Sequence, residues 1–430
     1  MHIPDGYLSP IFSLGTGIVT VPTWTLAVKR VRSVLNNRTI PLLSIFAAFS
    51  FTIMMFNIPV PGGTTAHAVG GTLIAVVLGP WAAVLGESTA LIIQALFFGD
   101  GGILAIFANC LNMGILLPLV GYVTYRLLAG RSPMLSPRRV WAAGIGSYMG
   151  ISTAALAVGI ELGLQPLLFS QNGHALYSPY PLGVTIPAML LSHLVGAALV
   201  EALVTGLGFA FIQRNYPHYL TSIQHSTGET ETVTGKTRGT PIWQLVSIGV
   251  VAAIAILLVT GLISGGGNMS HLFGADWSQV SWPDVWTMLA ITTLMAIVLV
   301  PLAWFLLPKR SKKVGSGFVA IAIIAPLGLI APGFAFGEGG PGDVKKAFGY
   351  LPQGLQQLSG WFSAPFSGYN VKLPFFSEPH TPLWHAALGY EISGLLGVLL
   401  IGAILYGLLT LLRRHTAAAS TEQESAGRLA

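Results

Sequence analysis

The 430 residues are 53% hydrophobic and 8% charged, with a mean hydropathy of +0.71 and a formal net charge of +6. A soluble domain carries roughly 25% charged residues, so this chain lacks the polar side chains to coat a globule in water and reads as lipid-embedded. The positive balance then reports Lys and Arg at a cytoplasmic face, not nucleic-acid binding, and a single cysteine, Cys110, excludes an internal disulfide and a thiolate metal cluster.

The chain opens MHIPDGYLSP. It has no basic n-region, and Pro4, Asp5 and Gly6 precede the first apolar run, so the opening does not read as a signal peptide. The terminal amine is expected to persist, because a bulky second residue also hinders removal of Met1. Eleven apolar spans follow, at approximately 8–28, 40–58, 66–79, 81–98, 102–128, 140–163, 183–213, 242–263, 286–307, 316–335 and 386–412. Several approach the roughly 20 residues a helix needs to cross a bilayer. The pair 66–79 and 81–98 divides at Gly79-Pro80, and its first member is short and Gly-rich, a pattern compatible with a broken or re-entrant helix.

Basic residues follow every odd-numbered span where they cluster: Lys29, Arg30, Arg32 and Arg38; Arg126, Arg131, Arg138 and Arg139; Arg214, Lys236 and Arg238; Lys309, Arg310, Lys312 and Lys313; Arg413 and Arg414. The positive-inside rule then predicts the N-terminus outside, the C-terminus in the cytoplasm and both members of the divided pair as crossings. The expected class is an all-α, polytopic protein of about eleven transmembrane helices in the cell's inner (plasma) membrane. Residues 1–213 form a seven-span domain, 214–241 a polar cytoplasmic linker, 242–307 a two-helix segment without an assigned role, and 308–430 a further two-helix region with a large outer loop and a polar tail. No internal repeat supports an inverted-repeat carrier.

Placing MHI on the outer face gives it a chemistry. The terminal amine of Met1, the amide nitrogen of His2 and the His2 imidazole can hold one ion together. The amine and amide close a five-membered chelate ring, and the amide and Nδ1 close a six-membered one. Three nitrogens then lie in a plane with one corner open, a field that suits Ni(II) and Cu(II). The donors must be deprotonated, so such binding weakens in acid. His67, in PGGTTAHAVGG at the outer start of the third span, is the candidate for the open corner. Thr64 and Thr65 are placed to hydrogen-bond the edge of such a site, and Asp5 to orient an imidazole or the amine.

These two stretches, MHIPDGYLSP and TTAHAVGG, resemble the CbiM/NikM family, the substrate-binding membrane subunits of energy-coupling-factor transporters for cobalt and nickel. The resemblance covers residues 1–213. It implies a seven-span subunit whose ion is held by Met1, His2 and His67, and which works with a transmembrane coupling subunit and two cytoplasmic ATPase subunits. The C-terminal part resembles the accessory subunit marked by Pro-Asp-Gly-Leu-Glu. Here that motif reads Pro352-Gln353-Gly354-Leu355-Gln356, with both acids replaced, which puts an acidic metal-handling role in doubt.

Other polar residues fall within apolar spans. Glu87 lies mid-span, with Gln94 two turns on; Asn109 and Asn112 are spaced to share one helical face, as are His193 and Glu201. Each reads either as part of an ion cavity or as an interhelical hydrogen bond. His271, Asp276, His380 and His385 lie in or beside the outer loops of the second half, as solvated residues or weak metal collectors. The TGKT at Thr234–Thr237 lacks the spaced glycine and preceding strand of a phosphate loop, and there is no catalytic motif. The expected function is therefore not an enzyme's: the chain captures Ni(II) or Co(II) as cargo, binds no resident cofactor, and depends on partner ATPases. The rival reading is a stand-alone secondary transporter or channel, for which Glu87 is the supporting residue.

Overall fold

The structure is a computed structural model, and it describes residues 1–32, 39–60, 64–217, 282–306, 325–330, 334–371 and 382–429, with isolated positions at 220, 373 and between 316 and 323. Its helices are α1 (Pro10–Arg32), α2 (Thr39–Met54), α3 (Gly71–Leu78), α4 (Pro80–Ile93), α5 (Ile106–Asn109), α6 (Leu117–Ala129), α7 (Pro137–Leu168), α8 (Leu182–Ser192), α9 (Ala198–Asn215), α10 (Trp282–Leu306), α11 (Pro341–Phe348), α12 (Gln353–Leu358) and α13 (Leu383–Leu429). Three π-helical turns, Gln94–Phe98, Cys110–Leu116 and His193–Ala197, continue α4, join α5 to α6 and join α8 to α9. The strands form two small antiparallel hairpins. β1 (Ile58–Val60) pairs β2 (Thr64–Ala66) with Pro59 opposite Thr65, and β3 (Ser170–Gln171) pairs β4 (His174–Ala175).

Among the described residues, seven stretches are long and apolar enough to cross a membrane: Pro10–Arg32, Pro80–Phe98, Ile106–Ala129, Pro137–Leu168, Leu182–Asn215, Val285–Leu302 and Leu383–Arg414. Their large apolar side chains point outward at Ile11, Ile18, Leu127, Trp141, Leu167, Ile297 and Leu399, as lipid contact requires. Inside, small residues bring backbones together. A Cβ on Gly146 of α7 would stand 2.6 Å from the Gly121 carbonyl oxygen of α6, so only glycine permits that crossing.

The expected spans differ from this in three places, and one further span cannot be compared. The stretch 242–263 lies outside the described residues, as does most of the linker. The stretch 40–58 becomes the 16-residue α2, ended by β1. The stretch 66–79 turns helical only at Gly71: Thr64–Ala66 is spent on the hairpin, and Gly70 takes a left-handed φ of +84°. The resulting α3 has eight residues, about 12 Å at 1.5 Å per residue, and does not cross a bilayer by itself. Within 316–335, a 3-10 helix at Ala325–Ile330 takes part of the expected span.

The helices run between two chemically distinct ends. α1 runs alongside α5 and α6: Gly17 meets Phe107, and Ala27 packs with Ile115. α13 runs antiparallel to α2, since Tyr390 donates to the Met55 carbonyl at 2.6 Å while Arg413 and Arg414 share a cavity wall with Ile40 and Pro41. The Gln213 amide donates to the Met134 carbonyl. Arg30, Arg32, Arg126, Arg131, Arg138, Arg139, Arg214, Arg413 and Arg414 are thereby gathered at one end. At the other, Gly102 donates to Ile3, Ser178 to Tyr7, Gly354 to Leu176 and Phe366 to Phe97 through main-chain hydrogen bonds of 2.7–3.0 Å. These bonds weave the first residues, the 99–105 loop, the 170–181 loop and the 334–371 segment into one layer. The N-terminus sits inside it.

Candidate metal centre

Residues 1–9 have no regular structure and are nevertheless almost wholly buried. Their backbone groups must find partners, and they do. Asn109 clasps Ile3, its Oδ1 accepting from the Ile3 N–H at 2.8 Å and its Nδ2 donating to the Ile3 carbonyl at 3.0 Å. Gln165 accepts from the Ser9 N–H at 2.9 Å. The Tyr7 hydroxyl donates to the Gly339 carbonyl at 2.8 Å. Burial and the neighbouring Tyr180, Asp343 and Glu338 push the Tyr7 phenol well above its ordinary range, so it remains a donor. Gly6 has φ +91°, and a Cβ there would stand 2.8 Å from the Leu355 Cα; the turn and the close approach both demand glycine.

This plug presents His2 to His67. His67 Nε2 lies 3.3 Å from His2 Nδ1, with ring centroids 5.0 Å apart. His67 Nδ1 donates to the Ala68 carbonyl at 3.1 Å, which leaves the Nε2 lone pair facing His2. Burial, then the amino terminus and His2, hold the His67 imidazole well below its ordinary range, so the ring stays neutral and able to donate its lone pair. The loop that carries His67 is braced from α9. The Glu201 carboxylate accepts from the Val69 N–H at 2.7 Å and from the Gly70 N–H at 3.0 Å.

Two further carboxylates approach the nitrogens. The Met1 amine donates to Glu338 Oε1 at 3.0 Å. His2 Nδ1 lies 3.1 Å from Asp100 Oδ1. Behind them Gln94 Oε1 stands 3.4 Å from His2 Nε2, and the Gln94 amide donates to the Tyr369 hydroxyl at 2.9 Å. Tyr369 in turn donates to Asp100 Oδ2 at 2.5 Å. The terminal amine and both ring nitrogens of His2 thus have partners, two of them fixed by the 334–371 segment.

The sequence-derived candidates divide on this geometry. Met1, His2 and His67 converge. Asn109 belongs to the site as the clasp of the plug. Asp5 does not touch amine or imidazole; it accepts from the Leu104 N–H and from the Trp361 indole, both at 2.8 Å, and so fastens the plug to both halves of the chain. Thr64 and Thr65 hold the Phe334 carbonyl and not the ring, at 2.7 Å and 3.3 Å. Asn112 turns away to Glu161 at 2.7 Å, because the π-turn beginning at Cys110 breaks the simple face it was expected to share with Asn109. Glu87 accepts from Ser50 at 2.7 Å beneath the start of α3. His193 is tied to the Met189 carbonyl at 2.8 Å and is near enough to influence His67 electrostatically. In the Pro352–Gln356 motif, Pro352, Gly354 and Leu355 are buried while Gln353 and Gln356 are exposed. The retained residues are the packing ones, and the replaced acids face outward. Of the second-half histidines, His271 and His380 lie outside the described residues, and His385 packs edge-on against Trp384.

Sequence reasoning did not find Asp100, Tyr369, Trp361 or Glu338, and it noted Gln94 only as a polar residue two turns from Glu87. Asp100 carried the same signal as Gln94, a polar residue at the outer end of an apolar span; the other three come from a segment more than 300 residues from the plug.

If Asn109 is the clasp, Asn109→Ala frees Ile3 and leaves its buried N–H without an acceptor. Metal affinity is expected to fall about 10–100-fold, the usual cost of losing an orienting partner. Isothermal titration of the purified variant checks it; unchanged affinity would remove Asn109 from the site.

Comparison with known proteins gives four findings. The family model described as cobalt uptake substrate-specific transmembrane region matches residues 2–219. The chain is 37% identical over 419 residues to the fused nickel transport protein NikMN of Rhodobacter capsulatus, covering 94% of this chain and 95% of that one. It is 52% identical over 221 residues to the probable fused nickel transport protein LarMN of Lactiplantibacillus plantarum, covering 50% of this chain and 66% of that one. Among solved structures, a truncated transition metal transporter is 52% identical, with 50% of this chain and 98% of that one covered and a TM-score of 0.47.

Proposed function

Since the chain belongs to the CbiM family of cobalt uptake substrate-specific transmembrane proteins, we propose that it captures Ni(II) or Co(II) at the outer membrane face. It does so as the substrate-specificity subunit of an energy-coupling-factor importer. The observation that carries the reading is the 3.3 Å approach of His67 Nε2 to His2 Nδ1 beside the buried terminal amine. An ion entering there takes four nitrogens: the Met1 amine, the His2 amide, His2 Nδ1 and His67 Nε2. The amine and the amide each surrender a proton to water. The His2 ring keeps one by shifting it to Nε2, where Gln94 Oε1 stands ready to accept the N–H. A planar four-nitrogen field favours Ni(II) over ions that demand oxygen.

The gathering of arginines at the far end supports placing the plug outside and the basic end in the cytoplasm. There the chain meets a transmembrane coupling subunit and two ATPases. The fused nickel transport proteins among its relatives support nickel as cargo and the 334–371 segment as part of the same machine.

Reconstitution tests the whole reading. Vesicles containing the chain, its coupling subunit and its ATPases are expected to accumulate labelled nickel only when ATP is supplied to the cytoplasmic face. Accumulation by the chain alone, without ATP, would instead establish the stand-alone transporter.

A further inference from the structure

A cavity of about 210 Å³ opens directly above the plug. Its walls include Pro4, Asp5, Gly99, Gly101, Glu338 and Ser367, so both halves of the chain build it. A single water needs roughly 10–15 Å³ measured in this way, so the cavity accommodates an ion with much of its hydration shell. Two carboxylates line it, in different states. Asp5 already accepts from Leu104 and Trp361. Glu338 is 23% exposed, and its carboxylate accepts from the terminal amine at 3.0 Å. Its carboxylate therefore touches the cavity on one side and a nitrogen donor on the other.

We propose that this cavity is the route by which a hydrated divalent transition-metal ion reaches the plug, and that Glu338 is the oxygen donor that receives it beside the terminal amine. The inference rests on the metal-capture reading above. The ion displaces one ammonium hydrogen bond from Glu338 and takes the carboxylate as a temporary ligand. The amine, released from its partner, gives one proton to water and then replaces that oxygen with its lone pair. A carboxylate suits a hydrated ion and nitrogen suits the final site, so exchange runs inward. The placement also explains why a buried amine is tied to a partly exposed acid across 337 residues of sequence.

The test is stopped-flow binding of Ni(II) to the full chain in detergent, at low and at about 1 M salt, the latter shortening the Debye length to roughly 3 Å. Glu338→Gln is expected to slow association at least about tenfold at both salt concentrations, with one ion still bound per chain. Glu338→Asp, which keeps the oxygens but withdraws them, is expected to fall between. If Glu338 only occupied the amine, its removal would speed association, and that result overturns the proposal. So does a slowing that disappears at high salt, which marks long-range attraction alone. Should Glu338→Gln fail to fold, an unchanged rate in Glu338→Asp overturns the proposal and a slowed one supports it. Failure of the unsubstituted chain to bind one nickel strikes the capture reading itself, and is thereby distinguished from failure at Glu338.

Discussion

One uncleaved residue placed ahead of Met1 is expected to abolish stoichiometric nickel and cobalt binding. The extension converts the terminal amine into an amide, which removes a donor and breaks the five-membered ring that ends on it. It also has nowhere to go: Met1 is 2% exposed, and its nitrogen lies against Glu338. The loss of affinity is expected to exceed about 100-fold, beyond the range typical of losing an outer partner. His2→Ala, which removes the imidazole and leaves the amine, is expected to be as severe. Titration with each metal at equal free concentration, on protein shown to be folded by circular dichroism, measures both. Stoichiometric, tight binding in the extended chain would eliminate the amine as a ligand.

Glu201→Ala is expected to be the most damaging substitution away from the ligands. It strips the acceptor from two buried N–H groups, those of Val69 and Gly70, in the loop that aims His67. An unsatisfied buried group costs roughly 1–3 kcal/mol, so the pair costs about 2–6 kcal/mol. Part of that cost appears as a lower unfolding temperature. The rest appears as a misdirected His67 and about 10–100-fold weaker metal binding. Glu201→Gln keeps one acceptor oxygen and is expected to lose less on both counts. Thermal unfolding and metal titration of the two variants separate these effects. An alanine variant that binds metal like the parent would show that the loop holds its shape unaided.

What could be read in the sequence was the chemistry that lies close along the chain. An amine, an amide and an imidazole at positions one and two suggest a chelate without knowledge of the fold, and His67, expected on the same side, does lie 3.3 Å from His2. Two things were not accessible. The first is any register set by a π-turn. Each inserts one residue into a helical repeat, so Asn109 and Asn112, three apart, bond to Ile3 and Glu161 respectively. The second is the role of residues whose meaning comes from their partner. Trp361 and Tyr369 look like ordinary loop aromatics until Asp5 and Asp100 are seen beside them. The short α3 belongs with these: an apolar run of fourteen residues carries no mark showing that its first part is spent on a hairpin and a loop.

The ion pair between the first residue and the 338th has a consequence in time. A ribosome adds about 5–20 residues per second, so the amine emerges roughly 20–70 seconds before its carboxylate is made. Throughout that interval the amino terminus lacks the cover that the 334–371 segment later gives it. Once Glu338 arrives, the plug is roofed and the interval closes. On the proposed reading, a terminus that still carries a formyl group when that segment arrives has no free amine to offer the ion.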